Sequence, residues 1–285
     1  MRVEIWSDVV CPWCYVGKRR FEAALARFEH ADQVTVTWRS FELDPGAPAE
    51  RGGTGAEHLA AKYGTSVEQA RAMEQRMTDT AAEDGLDFHF ERLRMGSTFD
   101  AHRVLHLAQH LGRQDAVKER FMRAYLTEGE LMSDHATLRR LAIEAGLPEA
   151  DVVDVLAGDQ YAAEVREDER AAAAFGASAV PFFVVDRAIG ASGAQPADAM
   201  LQLLQQGWDA KPRLPVVTGG EACPGALRES PGHRRPKAVG LRTHGPLASA
   251  AAHATAPLDQ LLCGRHRARR RARGAVAARP ARPRL

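Results

Sequence analysis

The sequence predicts an α/β fold in which two small mixed units are separated by a long helical stretch. Three observations support this prediction. Residues 2–43 carry strand, helix and strand patterns in turn, residues 55–175 have helical periodicity almost throughout, and residues 180–208 return to strand patterns followed by a helix. A β-α-β unit and a β-β-α unit can share one sheet, with the helical stretch inserted between them.

The first unit begins with residues 2–10, which are typical of a short and mostly buried strand. Pro12 follows where a helix tolerates proline best, at its first position. An apolar stripe at helical spacing continues this helix to about His30. Residues 34–43 then alternate like a half-buried strand, which the turn residues 44–46 end.

Capping and stop signals divide the helical stretch into separate helices. A capping box at 65–69 begins one helix, which Gly85 ends, and a cap at 97–100 begins the next. Ser133 begins a third helix, which Gly146 and Pro148 end, and Gly176 ends a helix over 161–175. The second mixed unit consists of an apolar strand over 182–185, a hairpin partner over 188–193, and a helix from Pro196 to Trp208.

This order of elements is that of a thioredoxin-type domain with a helical insertion. We therefore predict a thioredoxin-like domain formed by residues 1–50 and 158–212. Residues 51–157 are predicted to form the helical insertion domain. Residues 213–285 are rich in Pro, Gly, Ala and Arg and lack periodicity, so they are predicted to be a disordered basic tail.

Cys11-Pro12-Trp13-Cys14 lies at the first predicted strand-to-helix junction, where two cysteines can close a disulfide across one helical turn. Cys11 falls at the N-cap, and its sulfur can accept hydrogen bonds from the first-turn N–H groups. We therefore expect Cys11 to be the exposed nucleophile with a lowered pKa. Cys14, more buried, is expected to resolve the mixed disulfide. Because Pro12 and Trp13 carry no charge, the direction of the exchange stays open.

The cysteine pair has two other interpretations. A zinc site would need a second cysteine pair or histidines at ligand spacing, but Cys223 and Cys263 are far apart in the predicted tail. No metal is therefore predicted. Two ordinary buried thiols are the other interpretation, and the proline in the first turn argues against it.

Val180-Pro181 precedes the apolar strand of the second unit, where thioredoxin-type domains carry a cis proline that faces the dithiol. There Pro181 would keep the backbone of Val180 free to pair with an extended substrate, and it would exclude metal from the thiols. The alternative is a trans proline that begins an edge strand.

Charge and hydropathy limit the class of protein. The net charge is +1, but fourteen of the 38 Lys and Arg residues lie in 228–285, beside only Glu229 and Asp259. The basic run 265–273 could bind nucleic acid, yet no aromatic residues or known module accompany it, so nucleic acid is not expected as a partner.

The sequence has no signal-peptide pattern and no membrane-spanning apolar run, which favours a cytoplasmic protein without membrane contact.

Five segments in this order resemble the FrnE-like branch of the DsbA-type thioredoxin-like oxidoreductases. They are Cys11–Gly17, Ser40–Pro45, Ser97–Arg103, Val180–Phe183 and Ser192–Pro196, and the resemblance spans about residues 1–210. It implies a thioredoxin fold with an inserted helical domain, Cys11 as nucleophile, Cys14 as resolving thiol and Pro181 in cis. Some relatives carry a second pair of CxxxxC spacing, but here Arg228 stands where the partner of Cys223 would be.

We therefore expect a thiol–disulfide oxidoreductase that acts on protein or small-molecule thiols and disulfides without a bound cofactor. The resemblance extends to 2-hydroxychromene-2-carboxylate isomerases and kappa-class glutathione transferases, which have serine at the position of Cys11. A glutathione-dependent isomerase or transferase is therefore the alternative, with glutathione as a candidate co-substrate. A non-enzymatic partner-binding module with a basic tail is a further alternative, and the sequence allows a homodimer.

Further candidate residues surround the dithiol in these predictions. Pro12, Trp13 and Val180 are expected to contact substrate. His102 and Arg103 could line the substrate cleft, or they could tether the helix that carries them. Two strand-end residues, Glu42 and Asp44, are expected to be solvated, and Trp6 and Trp38 are expected in the core.

Overall fold

The computed structural model describes residues 1–210, and these form a four-stranded sheet surrounded by helices. The predicted tail, 213–285, lies outside the described residues. The strands are β1 (Arg2–Ser7), β2 (Thr35–Ser40), β3 (Phe182–Val185) and β4 (Ile189–Ser192). The helices are α1 (Pro12–Ala26), α2 (Gly55–Tyr63), α3 (Val67–Glu83), α4 (Phe99–His110), α5 (Gln114–Arg123), α6 (His135–Glu144), α7 (Glu149–Ala157), α8 (Ala162–Ala174) and α9 (Ala197–Asp209).

The sheet has the strand order β2-β1-β3-β4, so the first strand of the chain is central. β1 pairs parallel with β2, as a strand–helix–strand unit requires, and antiparallel with β3. β3 and β4 form the predicted hairpin, in which Phe183 lies opposite Ala191. The fold class predicted from the sequence is thereby confirmed, while the exact boundaries between the two predicted domains stay a prediction.

Alternation along β1 assigns its side chains to two faces of the sheet. Val3 and Ile5 belong to a core with residues of α1 and α9, including Phe21 and Leu204. Trp6 faces the other way, into the larger core that includes the buried residues of α4 to α8. Its indole nitrogen donates a hydrogen bond of 2.7 Å to the carbonyl of Asp168 on α8. The C-terminal end of β1 is therefore covered by the helical region on one face of the sheet.

Helix boundaries follow the predicted signals with two corrections, the first of which is that α1 ends at Ala26 and does not reach His30. Ser66 and Gln69 form the capping box expected at the start of α3. The start of α6 was expected at Ser133, but its N-cap is Asp134, whose carboxylate accepts from the N–H of Thr137 at 2.8 Å. The hydroxyl of Ser133 instead donates to the carbonyl of Ala49. Two adjacent capping residues compete at this position, and a distant carbonyl binds one of them.

Candidate active site

The dithiol lies where β1 passes into α1. Cys11 is the N-cap residue of α1, with extended backbone angles, and Pro12 is at the first helical position. The N–H groups of Cys14 and Tyr15 both donate to the carbonyl of Cys11, at 3.1 and 3.3 Å. This turn places Cys11 at the N-cap and Cys14 at the third helical position, and both are free thiols.

Two expectations about Cys11 were wrong. Its side chain is only 4% exposed, and its sulfur forms no capping hydrogen bond with the first turn of α1. Instead, the thiol donates to the carbonyl of Val180 across a distance of 3.8 Å. A neutral thiol has a proton to donate, and the first-turn N–H groups cannot accept it, whereas the carbonyl of Val180 can. Cys14 is fully buried, as expected for a resolving thiol.

Pro181 lies next to this pair. The Val180–Pro181 peptide is cis, in agreement with the sequence analysis. The carbonyl of Pro181 accepts from the N–H of Gly193 at 2.8 Å, and this bond ties the proline to the β3–β4 hairpin. A side chain at Gly17 of α1 would place its Cβ 2.9 Å from the proline Cγ, so the absence of one permits this close approach.

The residues between the cysteines face outward. Trp13 is 46% exposed beside the dithiol, and Pro12 is half-buried. Trp6 and Trp38 are buried in the core, as expected. An exposed indole next to a reactive thiol can cover the apolar part of a bound substrate.

A group of buried polar residues lies beneath the dithiol, and the sequence analysis identified only one of them. His102, on α4, has its Nε2 3.3 Å from a carboxylate oxygen of Asp8, which follows β1. The other oxygen of Asp8 accepts from the N–H of Leu43 at 2.8 Å. Lys118, on α5, donates to the carbonyl of Ser7 at 3.0 Å. The side chains of this group, Ser7, Asp8, His102 and Lys118, are each at most 1% exposed, and the hydroxyl of Ser7 has no partner among the described residues.

Burial sets the protonation of this group. It raises the pKa of Cys14 well above the usual value, and Cys11 adds to the rise, whereas Lys118 acts against it. Burial likewise lowers the pKa of Lys118 to about 8, with the neighbouring Cys14 and Asp8 opposing. For Asp8, burial favours the neutral acid, but the hydrogen bond and charge of His102 and the Lys118 charge keep its pKa below the usual range.

His102 and Arg103 lie in different surroundings. His102 is buried under the dithiol, and burial lowers its pKa despite the nearby Asp8. Arg103 turns away from the dithiol: its guanidinium binds the carbonyls of Val155, Gly158 and Gln160 at the end of α7, and it pairs with Asp100. The tethering interpretation therefore fits Arg103, and the expectation that it lines the cleft was wrong.

Glu42 also differs from its expected solvated position. It is 4% exposed and pairs with Arg166 on α8. Asp44, by contrast, is exposed and pairs with Arg51 at 2.6 Å. The strand end is thus partly covered by a helix that lies far along the chain.

A cavity of about 710 Å³ opens beside Pro12. Its wall combines the loop after β1, the β2–α2 connection, α2 and residues 90–98, and includes apolar side chains such as Leu59 and Phe90 beside Tyr125. This volume lies within the range of small-molecule binding sites. Within residues 1–210, no group of three or more His, Cys, Asp or Glu could hold a metal ion. No helix in the same part of the chain is both long and apolar enough to cross a membrane.

A dithiol at the start of the first helix, opposite a cis proline, is typical of thioredoxin-like proteins. The family model described as a DSBA-like thioredoxin domain matches residues 2–205. The chain therefore belongs to the DsbA-like thioredoxin family, which confirms the predicted family. Its place in the FrnE-like branch stays a prediction.

Two proteins of known structure and one curated protein are similar to this chain. A crystal structure from Streptomyces coelicolor, described as a probable DsbA oxidoreductase, is 49% identical with a TM-score of 0.72, covering 79% of this chain and 100% of the other. The cytosolic disulfide reductase DsbM of Pseudomonas aeruginosa, solved with glutathione, is 20% identical with a TM-score of 0.51, covering 72% and 98%. Among curated proteins, the uncharacterized YwbO of Bacillus subtilis is 25% identical over 197 residues, covering 68% of this chain and 92% of that protein.

Proposed function

We propose that this protein is a thiol–disulfide oxidoreductase in which Cys11 and Cys14 exchange a disulfide with protein or low-molecular-weight thiols. The observation that carries the proposal is the placement of both thiols in the first turn of α1, beside the cis Val180–Pro181 peptide. The membership of the DsbA-like family supports it. In this proposal the reaction needs no bound cofactor. The protein is also proposed to act in the cytoplasm.

The exchange proceeds in two steps. The thiolate of Cys11 attacks a substrate disulfide and forms a mixed disulfide while one substrate thiolate leaves. The thiolate of Cys14 then attacks the Cys11 sulfur, which closes the Cys11–Cys14 disulfide and releases the second substrate thiolate. The dithiol loses two electrons and the substrate disulfide gains them. The reverse sequence reduces the protein and oxidises two thiols.

The test compares single-cysteine variants with the unchanged protein in insulin reduction and in thiol oxidation. Cys11→Ser should lose both activities, because it removes the attacking sulfur. Cys14→Ser should lose turnover and accumulate a mixed disulfide that mass spectrometry detects. Unchanged turnover in Cys14→Ser would contradict the two-cysteine cycle. Titration of the dithiol against glutathione then shows whether the protein donates or removes disulfides.

A second candidate is a glutathione-dependent isomerase or transferase. The cavity beside Pro12 favours it, because such an enzyme needs a site for a second small substrate. Cys14 discriminates between the two candidates, since a transferase has no use for a resolving thiol. Glutathione conjugation that persists in Cys14→Ser would support this second function.

A further inference from the structure

Lys118 is a buried cation on a helix of the helical region, and it contacts the end of the central strand β1. It is fully buried on α5, and its ammonium group donates to the carbonyl of Ser7, the last residue of β1. No carboxylate of the described residues lies within ion-pair distance of it. A buried ammonium without a counter-ion is costly, so its position needs an explanation.

A second buried lysine shows what ordinary compensation looks like in this protein. Lys18, on α1, is also 1% exposed, but it contacts three carboxylates. They belong to Glu22, Asp115 and Glu119. The charge of Lys18 is therefore neutralised locally, whereas that of Lys118 is left to act on its surroundings.

The surroundings of Lys118 are the dithiol and its supporting residues. Five titratable groups of the described residues interact electrostatically with Lys118. They belong to the β1–α1 loop, to α1 and to α4. They are Asp8, Cys11, Cys14, Lys18 and His102. Asp8 already has His102 and the N–H of Leu43 as partners. Of the remaining groups, the two cysteines must each become an anion during the exchange, and neither has a cationic hydrogen-bond partner. Cys14 is the more deeply buried of the two, at 0% exposure against 4% for Cys11, so its thiolate depends more on a nearby positive charge.

We propose that Lys118 is a positioning residue for the resolving step, in which its buried ammonium group favours the thiolate of Cys14. This inference rests on the proposed function. The helical region would then contribute directly to the redox chemistry, through one residue of α5, in addition to shaping the site. Burial alone makes the Cys14 thiolate unfavourable, and a fixed positive charge in the same low-dielectric space opposes that effect.

With the aromatic disulfide DTNB as substrate, the exchange releases two thionitrobenzoate ions and leaves the protein as the Cys11–Cys14 disulfide. The first attack releases one thionitrobenzoate and leaves the other joined to Cys11. Cys14 loses its proton to the buffer, and its thiolate attacks the Cys11 sulfur. The Cys11–Cys14 bond forms, the bond to the aromatic sulfur breaks, and the second thionitrobenzoate leaves with the electron pair. Lys118 stays protonated throughout.

DTNB also provides the measurement, because the two coloured products leave in separate phases. The full chain is used with Cys223→Ser and Cys263→Ser in every protein, so that only Cys11 and Cys14 react. Lys118→Met should slow the second phase about tenfold at neutral pH, as expected for a rise of one unit in the pKa of Cys14, and shift its pH profile upward. The first phase should change less than the second.

Further variants separate charge from structure. Lys118→Gln keeps an N–H for the carbonyl of Ser7 without the charge, so it should resemble Lys118→Met and replaces it if that variant does not fold. Lys118→Arg keeps the charge and should restore most of the second-phase rate. Lys18→Met is the matched control, a second buried lysine whose loss should leave the second phase within about twofold.

Two outcomes overturn the inference. One is a second phase of unchanged rate and pH profile in folded Lys118→Met or Lys118→Gln. The other is equal slowing in Lys18→Met, which would indicate a general effect of lost packing. A failure of the proposed function would look different, because with one equivalent of DTNB the unchanged protein would then release only the first product.

Discussion

Lys18 and Lys118 approach the same indole from different elements, each with its ammonium group 5.8 Å from the ring centre of Trp38. Trp38 in turn donates from its indole nitrogen to Asp115, at 3.0 Å. The interface between α1, β2 and α5 thus contains two buried cations around one aromatic ring. The charges of the two lysines are neutralised differently, since three carboxylates pair with Lys18 and none pairs with Lys118 among the described residues.

This difference predicts unequal effects of the two lysines on stability. Lys18→Met leaves partly exposed carboxylates without their cation and should lower the free energy of unfolding by about 2 kcal/mol. Lys118→Met removes a buried charge that has no counter-ion, so it should cost less, about 1 kcal/mol for the lost bond to Ser7. Urea denaturation measures both. A larger loss for Lys118→Met than for Lys18→Met would contradict this account.

The contact between Gly17 and Pro181 predicts a second stability effect. Alanine normally favours a helix over glycine by about 1 kcal/mol. In Gly17→Ala, however, the new Cβ would lie 2.9 Å from the proline ring, and either α1 or the proline must move. We expect a net loss of about 1–3 kcal/mol in urea denaturation.

Gly52→Ala is the control for this substitution, because nothing lies within 4 Å of a Cβ at Gly52. It should leave the free energy of unfolding within about 0.5 kcal/mol. If Gly17→Ala were as stable as Gly52→Ala, the packing of α1 against Pro181 would be looser than the structure shows.

Much of this site could be predicted from local sequence, because local signals determine it. The CxxC motif, the proline at the helix start and the Val-Pro step before an apolar strand each specify a short piece of backbone. The hydrogen bond of the Cys11 thiol could not be predicted, since its acceptor belongs to Val180, far along the chain. Pairing across such a distance depends on how the sheet assembles.

Lys118 was missed for a related reason. In sequence, Asp115, Lys118 and Glu119 have the spacing of an exposed, ion-paired helix face. A signal was nonetheless present: Lys118 falls at helical spacing between Gln114 and Phe121, both buried. A lysine inside a buried stripe indicates a buried cation, but only the docking of α5 on β1 shows what it faces.

Glu4 predicts how stability depends on pH. Its side chain is 1% exposed in the central strand, and Arg187 and Arg39 hold its pKa at about 2, below the usual 4.5, although burial opposes this. Because the folded-state pKa is depressed, the stabilisation is present above about pH 4.5 and is lost as the pH falls toward 2. Exposure of Arg187 reduces the effect to about 2 kcal/mol.

The measurement compares urea denaturation of the unchanged protein and Glu4→Gln across this pH range. The variant should be less stable near neutral pH, and the difference should shrink between pH 4.5 and 2. A difference that stays constant with pH would show that the carboxylate contributes packing and hydrogen bonds without its charge.

Arg103 predicts a purely structural effect. Its guanidinium contacts three backbone carbonyls around the end of α7, and Arg103→Met would leave them without this donor. We expect a loss of about 2–4 kcal/mol in urea denaturation. Arg103→Lys should recover little of it, because an ammonium group cannot match the fork of a guanidinium. Both phases of the DTNB reaction should be unchanged in folded protein, and a slower first phase would instead indicate a role in substrate binding.

The cavity beside Pro12 predicts selectivity between small disulfides. Leu59 lies in its wall on α2, so Leu59→Trp should reduce the space available to a bound substrate. The second-order rate constant of the first phase with an aromatic disulfide such as DTNB should then fall about tenfold. Hydroxyethyl disulfide, which is smaller, should react at a rate close to that of the unchanged protein.

Leu111→Trp is the matched control, because Leu111 is exposed at the end of α4 and does not line this cavity. It introduces the same indole and should alter neither substrate. If Leu59→Trp slowed both disulfides equally, the effect would lie in the dithiol itself. If it slowed neither, substrates would reach Cys11 from the side of Trp13 and Val180, and the cavity would have no part in the exchange.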